Sequence, residues 1–243
     1  MMGRSFDFSG KVVLVTGVAR SNQIGHAVAE AFGSAGAKLV VCDRDAVAVS
    51  ERAKEFLGRK IDARAAAGDL TEPDVAALAV ETAVKNFGRL DVLVNVAGGL
   101  TTYGPVAGIG VAAFDREINI NLKTAFLMCR AAVDALAASE GCIVNFASMA
   151  ALRPLAPMAV YAAAKSAVAG LTTSLALELR DRKVRVNAVA PGMVRTPDNV
   201  KAVGAAPVRW VEMAEITDGV LFLASPAALA ITGHILPITN GDL

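Results

Sequence analysis

Short apolar runs rich in valine, isoleucine and leucine alternate with longer segments of helical period along the chain. Seven runs read as strands, over 12–17, 38–43, 63–70, 91–98, 142–148, 184–192 and 234–238. Helices are expected over 25–36, 45–57, 73–88, 114–136, 157–179 and 211–224, the second capped by Asp45 and the third opened by Pro73. Strands that are apolar along their length are buried on both faces, and their alternation with helices builds a parallel sheet covered on both sides. Right-handed crossovers make that sheet doubly wound. The expected fold is α/β, about seven parallel strands with helices on both faces, in one domain over 1–243. The stretches 98–110 and 192–210 read as surface loops. Ligands of such sheets sit beyond the carboxyl ends of the strands.

Composition narrows the function. A chain of 243 residues suits one such domain with a large core, and 54% hydrophobic against 19% charged residues marks it as globular. The net charge of +1, with no basic stripe, argues against nucleic acid as a partner and gives no reason to expect an anionic membrane surface. Cys42, Cys129 and Cys142 form no CxxC pair and read as small buried hydrophobes, with neither a disulfide framework nor a metal site indicated. The N-terminal MMGRSFDFSGK lacks a signal-peptide core, and no apolar run of bilayer-spanning length is free of Gly, Pro or charge. The expectation is a cytoplasmic protein.

The chemistry-bearing residues follow strands. Between the first strand and its helix lies Thr16-Gly17-Val18-Ala19-Arg20-Ser21-Asn22-Gln23-Ile24-Gly25, a turn that presents backbone N–H groups and the positive helix end to a pyrophosphate. Asp43 ends the second strand, where a carboxylate accepts from a ribose diol and repels a 2′-phosphate; Arg44 and Arg20 nearby offer the opposite preference. NAD is favoured and NADP stays open. Tyr161 and Lys165, four apart on a helix, share a face. Ser148 ends the central strand that precedes them, and Asn121 sits inside a long helix, where asparagine needs a reason to be.

With these pieces in order, the chain resembles the short-chain dehydrogenase/reductase family in its compact single-domain branch, and is similar to 3-oxoacyl-acyl-carrier-protein reductases. The motifs are Thr16-Gly17 with Ile24-Gly25, Gly68-Asp69-Leu70, Asn95-Val96-Ala97-Gly98, Asn121-Leu122, Ser148, Tyr161 to Lys165, Asn187, and Pro191-Gly192 with Thr196. The resemblance implies a Rossmann-type fold, and hydride transfer between NAD(P)(H) and a carbonyl or secondary alcohol. It places Gly17, Ile24 and Gly25 on the pyrophosphate, with Arg20, Ser21 and Asn22 in the same turn. It puts Asp43 on the ribose and Asp69 and Leu70 on the adenine. Asn95, Ala97 and Gly98 lie along the cofactor, and Pro191, Gly192, Val194 and Thr196 at the nicotinamide. Asn121, Ser148, Tyr161 and Lys165 are catalytic, with Tyr161 and Lys165 also touching the cofactor. Tyrosine ordinarily titrates near about 10, so a base at neutral pH needs its phenolate stabilised by about 4 kcal/mol, toward which the Lys165 ammonium contributes. Ser148 polarises the substrate oxygen, and Asn121 holds a water linking Lys165 to solvent.

The sequence departs from the family pattern in three places. The gap from Gly17 to Gly25 is two residues longer than usual, and Gln23 stands where a middle glycine is expected. Close approach to the phosphates then falls to Ser21 or Asn22. The Asn-Asn-Ala-Gly motif reads Asn-Val-Ala-Gly, and the stretch from Thr196 to Trp210 makes a small substrate lid. Trp210 reads as packing the following helix, the alternative being a pocket floor; Tyr103 reads as a loop anchor or a substrate contact. The Ala-rich helices 114–136 and 157–179 imply, by the resemblance, a homotetramer or homodimer. Two other readings are a catalytically idle dinucleotide-binding regulatory protein, against which the intact Asn121, Ser148, Tyr161 and Lys165 set argues, and a lyase or epimerase of the extended branch, which carries a larger C-terminal domain.

Overall fold

The computed structural model describes residues 6–241. Met1 to Ser5, which belong to the N-terminal segment read above, and the last two residues of the expected 1–243 domain lie outside the described residues. The strands are β1 (Val12–Thr16), β2 (Lys38–Asp43), β3 (Ala63–Ala67), β4 (Val92–Asn95), β5 (Cys142–Phe146), β6 (Arg185–Pro191) and β7 (Ile235–Ile238). They form one sheet in the order β3-β2-β1-β4-β5-β6-β7, with every pair parallel. Strand order reverses between β1 and β4, which opens a crevice beyond their carboxyl ends.

Alternate strand residues feed opposite layers. Val13, Val15, Leu39 and Val41 pack on α1 (Ile24–Ser34), α2 (Ala46–Gly58) and α9 (Met213–Ala224). Val12, Leu14, Val40 and Cys42 pack on α3 (Pro73–Phe87), α5 (Thr124–Ser139) and the end of α7 (Ala159–Glu178). Asp45 caps α2 by accepting from the Ala48 N–H at 3.0 Å, and Pro73 opens α3. Cys42, Cys129 and Cys142 are all free and buried. By length and composition α7 could cross a membrane, but Lys165 and Gly170 interrupt it and its buried face packs into the fold.

Two segments differ from the periodicity. The helix expected over 114–136 is two helices, α4 (Val111–Ile118) and α5, joined by a π turn over Asn119–Lys123. Asn121 sits in that turn rather than in regular helix; such turns recur at functional sites. The loop expected over 192–210 contains α8 (Pro197–Val203), capped by Thr196 Oγ1 accepting from the Asn199 N–H at 3.2 Å. The signal was present as a Thr cap before a Pro at the first helical position. A short helix, α6 (Met149–Leu152), follows β5.

Candidate active site

The turn after β1 is built by conformation. Gly17 has φ +75°, and a Cβ on it would come within 3.1 Å of the Ala97 backbone. Gly25 lies so close to the strand that a Cβ there would stand 2.1 Å from the Gly17 carbonyl oxygen. With Gln23 in place of a middle glycine, the left-handed conformation falls on Asn22, at φ +59°. The helix α1 then begins with no side-chain cap on its N–H groups and no acidic residue in its first turn. Its positive end is left open toward the crevice.

Backbone bonds hold the walls. Thr16 Oγ1 accepts from the N–H groups of Val96 and Ala97, both at 3.0 Å, and fixes the chain as it leaves β4. Asp43, at the end of β2, accepts from the Ala19 N–H at 3.0 Å and the Asp45 N–H at 3.2 Å, so its carboxylate is oriented at the rim of the turn. Asp69 accepts from the N–H and the hydroxyl of Thr71, which holds its pKa below the usual carboxylate range. Leu70 is buried against the α3 and α5 layer.

Beyond the turn, one cleft is lined by Ile24, Val96, Gly98, Gly99, Ser148, Tyr161, Lys165, Pro191, Gly192, Val194 and Asn199. Ser148 is in extended conformation after β5, where its Oγ accepts from the Ala150 N–H at 3.1 Å and caps α6. Tyr161, on the first turn of α7, has its phenol pKa raised by burial, with Ser148 pulling it down and the charge of Glu117 pushing it up. Lys165, one turn on, is buried, and its Nζ donates to the Phe146 carbonyl at 2.8 Å. Burial brings its pKa down from 10.5 to about 8, with Glu117 opposing. The Nζ lies 5.9 Å from the centre of the Tyr161 ring. The ammonium thus addresses a backbone carbonyl, while burial favours the acid form of the phenol.

Several expected residues face elsewhere. The Asn121 amide is taken up by protein: Oδ1 accepts from Gly99 N at 3.0 Å, and Nδ2 donates to the Gly99 carbonyl at 2.9 Å and to the Glu117 carbonyl and Oε1, both at 3.0 Å. Its side chain therefore seats the loop at Gly99. Asn95 turns its amide into the core, donating to Asn145 Oδ1 at 2.9 Å and to Cys129 Sγ, and Asn145 in turn donates to Thr172 at 3.0 Å. Arg20 pairs with Asp198 on α8 at 2.5 Å, and Ser21 bonds Arg52. Thr196 spends its hydroxyl on the cap of α8. Trp210 lies under the Arg195 guanidinium at 5.0 Å and its carbonyl accepts from Asn240, a packing role; Tyr103 is 69% exposed on its loop.

Phe146 and Asn199 line the cleft, and Glu117 lies behind its wall, bonded to Thr101 and Asn121; Phe146, Asn199, Glu117 and Thr101 were not expected from the sequence. The signal for Glu117 was its place four residues before Asn121, on the same face. The family model for short chain dehydrogenase matches residues 11–205. The chain belongs to this short-chain dehydrogenase family. It is 38% identical over 247 residues to a trans-4-hydroxycyclohexanecarboxylate dehydrogenase of Sinomonas cyclohexanicum, covering 96% of this chain and 92% of that one. It is 34% identical over 244 residues to a 3-oxoacyl-[acyl-carrier-protein] reductase of Thermotoga maritima, covering 96% and 97%. Among solved structures, a 7 alpha-hydroxysteroid dehydrogenase complexed with NADH and 7-oxo glycochenodeoxycholic acid superposes with a TM-score of 0.89 at 30% identity, over 98% of this chain and 96% of that one. In this short-chain dehydrogenase Ser148, Tyr161 and Lys165 line one cleft at the carboxyl edge of the sheet.

Proposed function

We propose that this short-chain dehydrogenase is an NAD(P)-dependent oxidoreductase that moves a hydride between a nicotinamide and a carbonyl or secondary alcohol carbon, with Tyr161 as the proton donor or acceptor. The observation that carries the reading is the single cleft running from the open N-terminus of α1 to Ser148, Tyr161 and Lys165. A dinucleotide fits it chemically. The uncapped N–H groups of α1 suit a pyrophosphate, Gly17 and Gly25 bring the start of α1 close against the strand end, and Asp43 suits a ribose diol. Bound there, the cofactor supplies or takes the hydride and, when oxidised, adds a positive charge beside the phenol. The chain's own residues handle the proton. Tyr161 in its acid form donates to the alkoxide that reduction of a carbonyl leaves, Ser148 donates a hydrogen bond to the substrate oxygen, and Lys165 orients the nicotinamide ribose.

NAD is the favoured cofactor. The Asp43 carboxylate at the end of β2 would accept from a ribose diol and repel a 2′-phosphate, and Arg20 is occupied by Asp198. A thermal-shift comparison tests this: NADH gives the larger stabilisation, and a larger shift with NADPH overturns the preference. Turnover is then screened against cyclic ketones, oxo-thioesters, oxosteroids and ketoses. The Tyr161→Phe variant retains cofactor binding and loses turnover by roughly 100- to 10,000-fold; near-normal turnover removes Tyr161 from the mechanism. We also infer a homodimer or homotetramer through the outer faces of α5 and α7, where Phe126 and Leu177 are 45% and 74% exposed. A monodisperse monomer in light scattering at micromolar concentration refutes it. We infer a small-molecule substrate and a cytoplasmic setting.

A further inference from the structure

Behind the cleft wall lies a carboxylate that the proposed reaction leaves without a task. Glu117, near the end of α4, has 0% exposure. Its Oε2 accepts from the Thr101 N–H at 2.9 Å and the Thr101 hydroxyl at 2.5 Å, and its Oε1 accepts from Asn121 Nδ2 at 3.0 Å. A carboxylate taken fully out of water persists only with such donors and a positive charge nearby. The donors also locate it. Asn121 at Gly99 and Glu117 at Thr101 hold the two ends of the segment that follows Gly98, and a Cβ on Gly98 would meet Asn121 Oδ1 at 2.6 Å. Both α4 and the π turn pack on α7, which carries Tyr161 and Lys165.

Lys165 poses the complementary problem. Its Nζ is buried with a neutral carbonyl as its hydrogen-bond partner, and no carboxylate among the described residues pairs with it directly. Tyr161 lies beside it on its own helix, Glu117 acts on it by charge across the packing of α4 on α7, and β5 offers the Phe146 carbonyl. Two opposite charges, each buried on one side of the same wall, compensate one another through a low-dielectric interior.

We propose that Glu117 is a positioning residue for the reaction proposed above, its carboxylate fixing Asn121 and the 99–101 segment and supplying the counter-charge that keeps Lys165 an ammonium beside the cleft. The inference rests on that functional reading. The sign is set by the charge. Glu117 holds both Lys165 and Tyr161 toward their protonated forms, so removing its charge releases both protons at lower pH.

The test is Glu117→Gln against wild type, read two ways. The first is the pH profile of kcat for reduction of whichever ketone of the panel is turned over fastest. The second is the ¹³C NMR titration of the Lys165 Cε in the cofactor-free protein. The expected result is an alkaline limb and a Lys165 midpoint that both move to lower pH by about one unit, with Glu117→Asp restoring both toward wild type. A fall in kcat at every pH with both features unmoved marks a merely structural residue and overturns the proposal. If Glu117→Gln does not fold, ¹³C titration of the wild-type glutamate carboxyls decides: a Glu117 that carries a proton at neutral pH supplies no counter-charge and overturns the proposal, and an ionised one supports it. Absence of wild-type turnover with every ketone and either cofactor removes the functional reading, and the assigned role with it, whatever the NMR midpoints show.

Discussion

Replacing Lys165 by Met converts its burial into a measurable slope of stability against pH. In the folded protein its pKa is about 8, whereas an unfolded chain gives it 10.5. The folded state therefore carries a desolvated charge below pH 8, and that penalty is relieved as pH rises toward 10.5, because the unfolded chain then binds the extra proton. The sign is the reverse of a lysine that gains a partner: stability contributed by this group rises with pH. The whole interval corresponds to about 3 kcal/mol, of which about 1 kcal/mol appears between pH 8 and pH 9. Other groups oppose it. Cys42 and Cys129 are pushed up from 9.0 to about 12 and Cys142 to about 11, so their unfolded thiols ionise first and stability falls above pH 9. Those contributions are common to both proteins and cancel in the difference. The assay is urea unfolding of wild type and Lys165→Met at pH 7, 8, 9 and 10, with reductant and matched protein concentration. The stability of wild type minus that of the variant grows with pH across this range. A flat or falling difference refutes the burial argument. The absolute offset carries less information, because methionine also leaves the Phe146 carbonyl without its donor at a cost of about 1–3 kcal/mol.

Two further substitutions probe the turn and its wall. Gly25→Ala places a methyl 2.1 Å from the Gly17 carbonyl oxygen, so α1 must move off β1; thermal unfolding detects a loss of about 1–3 kcal/mol or more, and dinucleotide binding weakens with it. An unchanged melting temperature refutes the close packing. Thr16→Val keeps the shape but removes the acceptor of two N–H groups, from Val96 and Ala97, and destabilises by about 1–3 kcal/mol for each group left unsatisfied; a neutral effect in urea unfolding shows that water takes the place of the hydroxyl.

The sheet was legible because its physics is local and periodic. Strands such as VVLVT and KLVVCD are apolar on both faces, and between helices that pattern has one parallel solution. Tyr161, Lys165 and Ser148 were legible for the same reason: helix spacing and strand ends fix which residues reach the carboxyl edge. The α8 cap was written in Thr196-Pro197 and overlooked, since a segment of seven helical residues has too little period to register against a loop.

Other features came only with the folded chain. A π turn at Asn121 accompanies the packing of α4 on α7 and of α5 on α3 while an amide reaches the loop at Gly99, and no local propensity encodes that compromise. Spacing puts Glu117 on the face of Asn121 but does not by itself tell Glu117 from a solvated helix glutamate. Its 0% exposure arises because Thr101, sixteen residues away along the chain, folds over it. Arg20 and Ser21 looked free for phosphate until tertiary contacts gave them Asp198 and Arg52. Sequence thus determined which side chains stand at the edge of the sheet, because backbone period dictates direction. The tertiary structure decided which of them remain available and in what charge state, because hydrogen-bond partners and desolvation come from residues far apart in the chain.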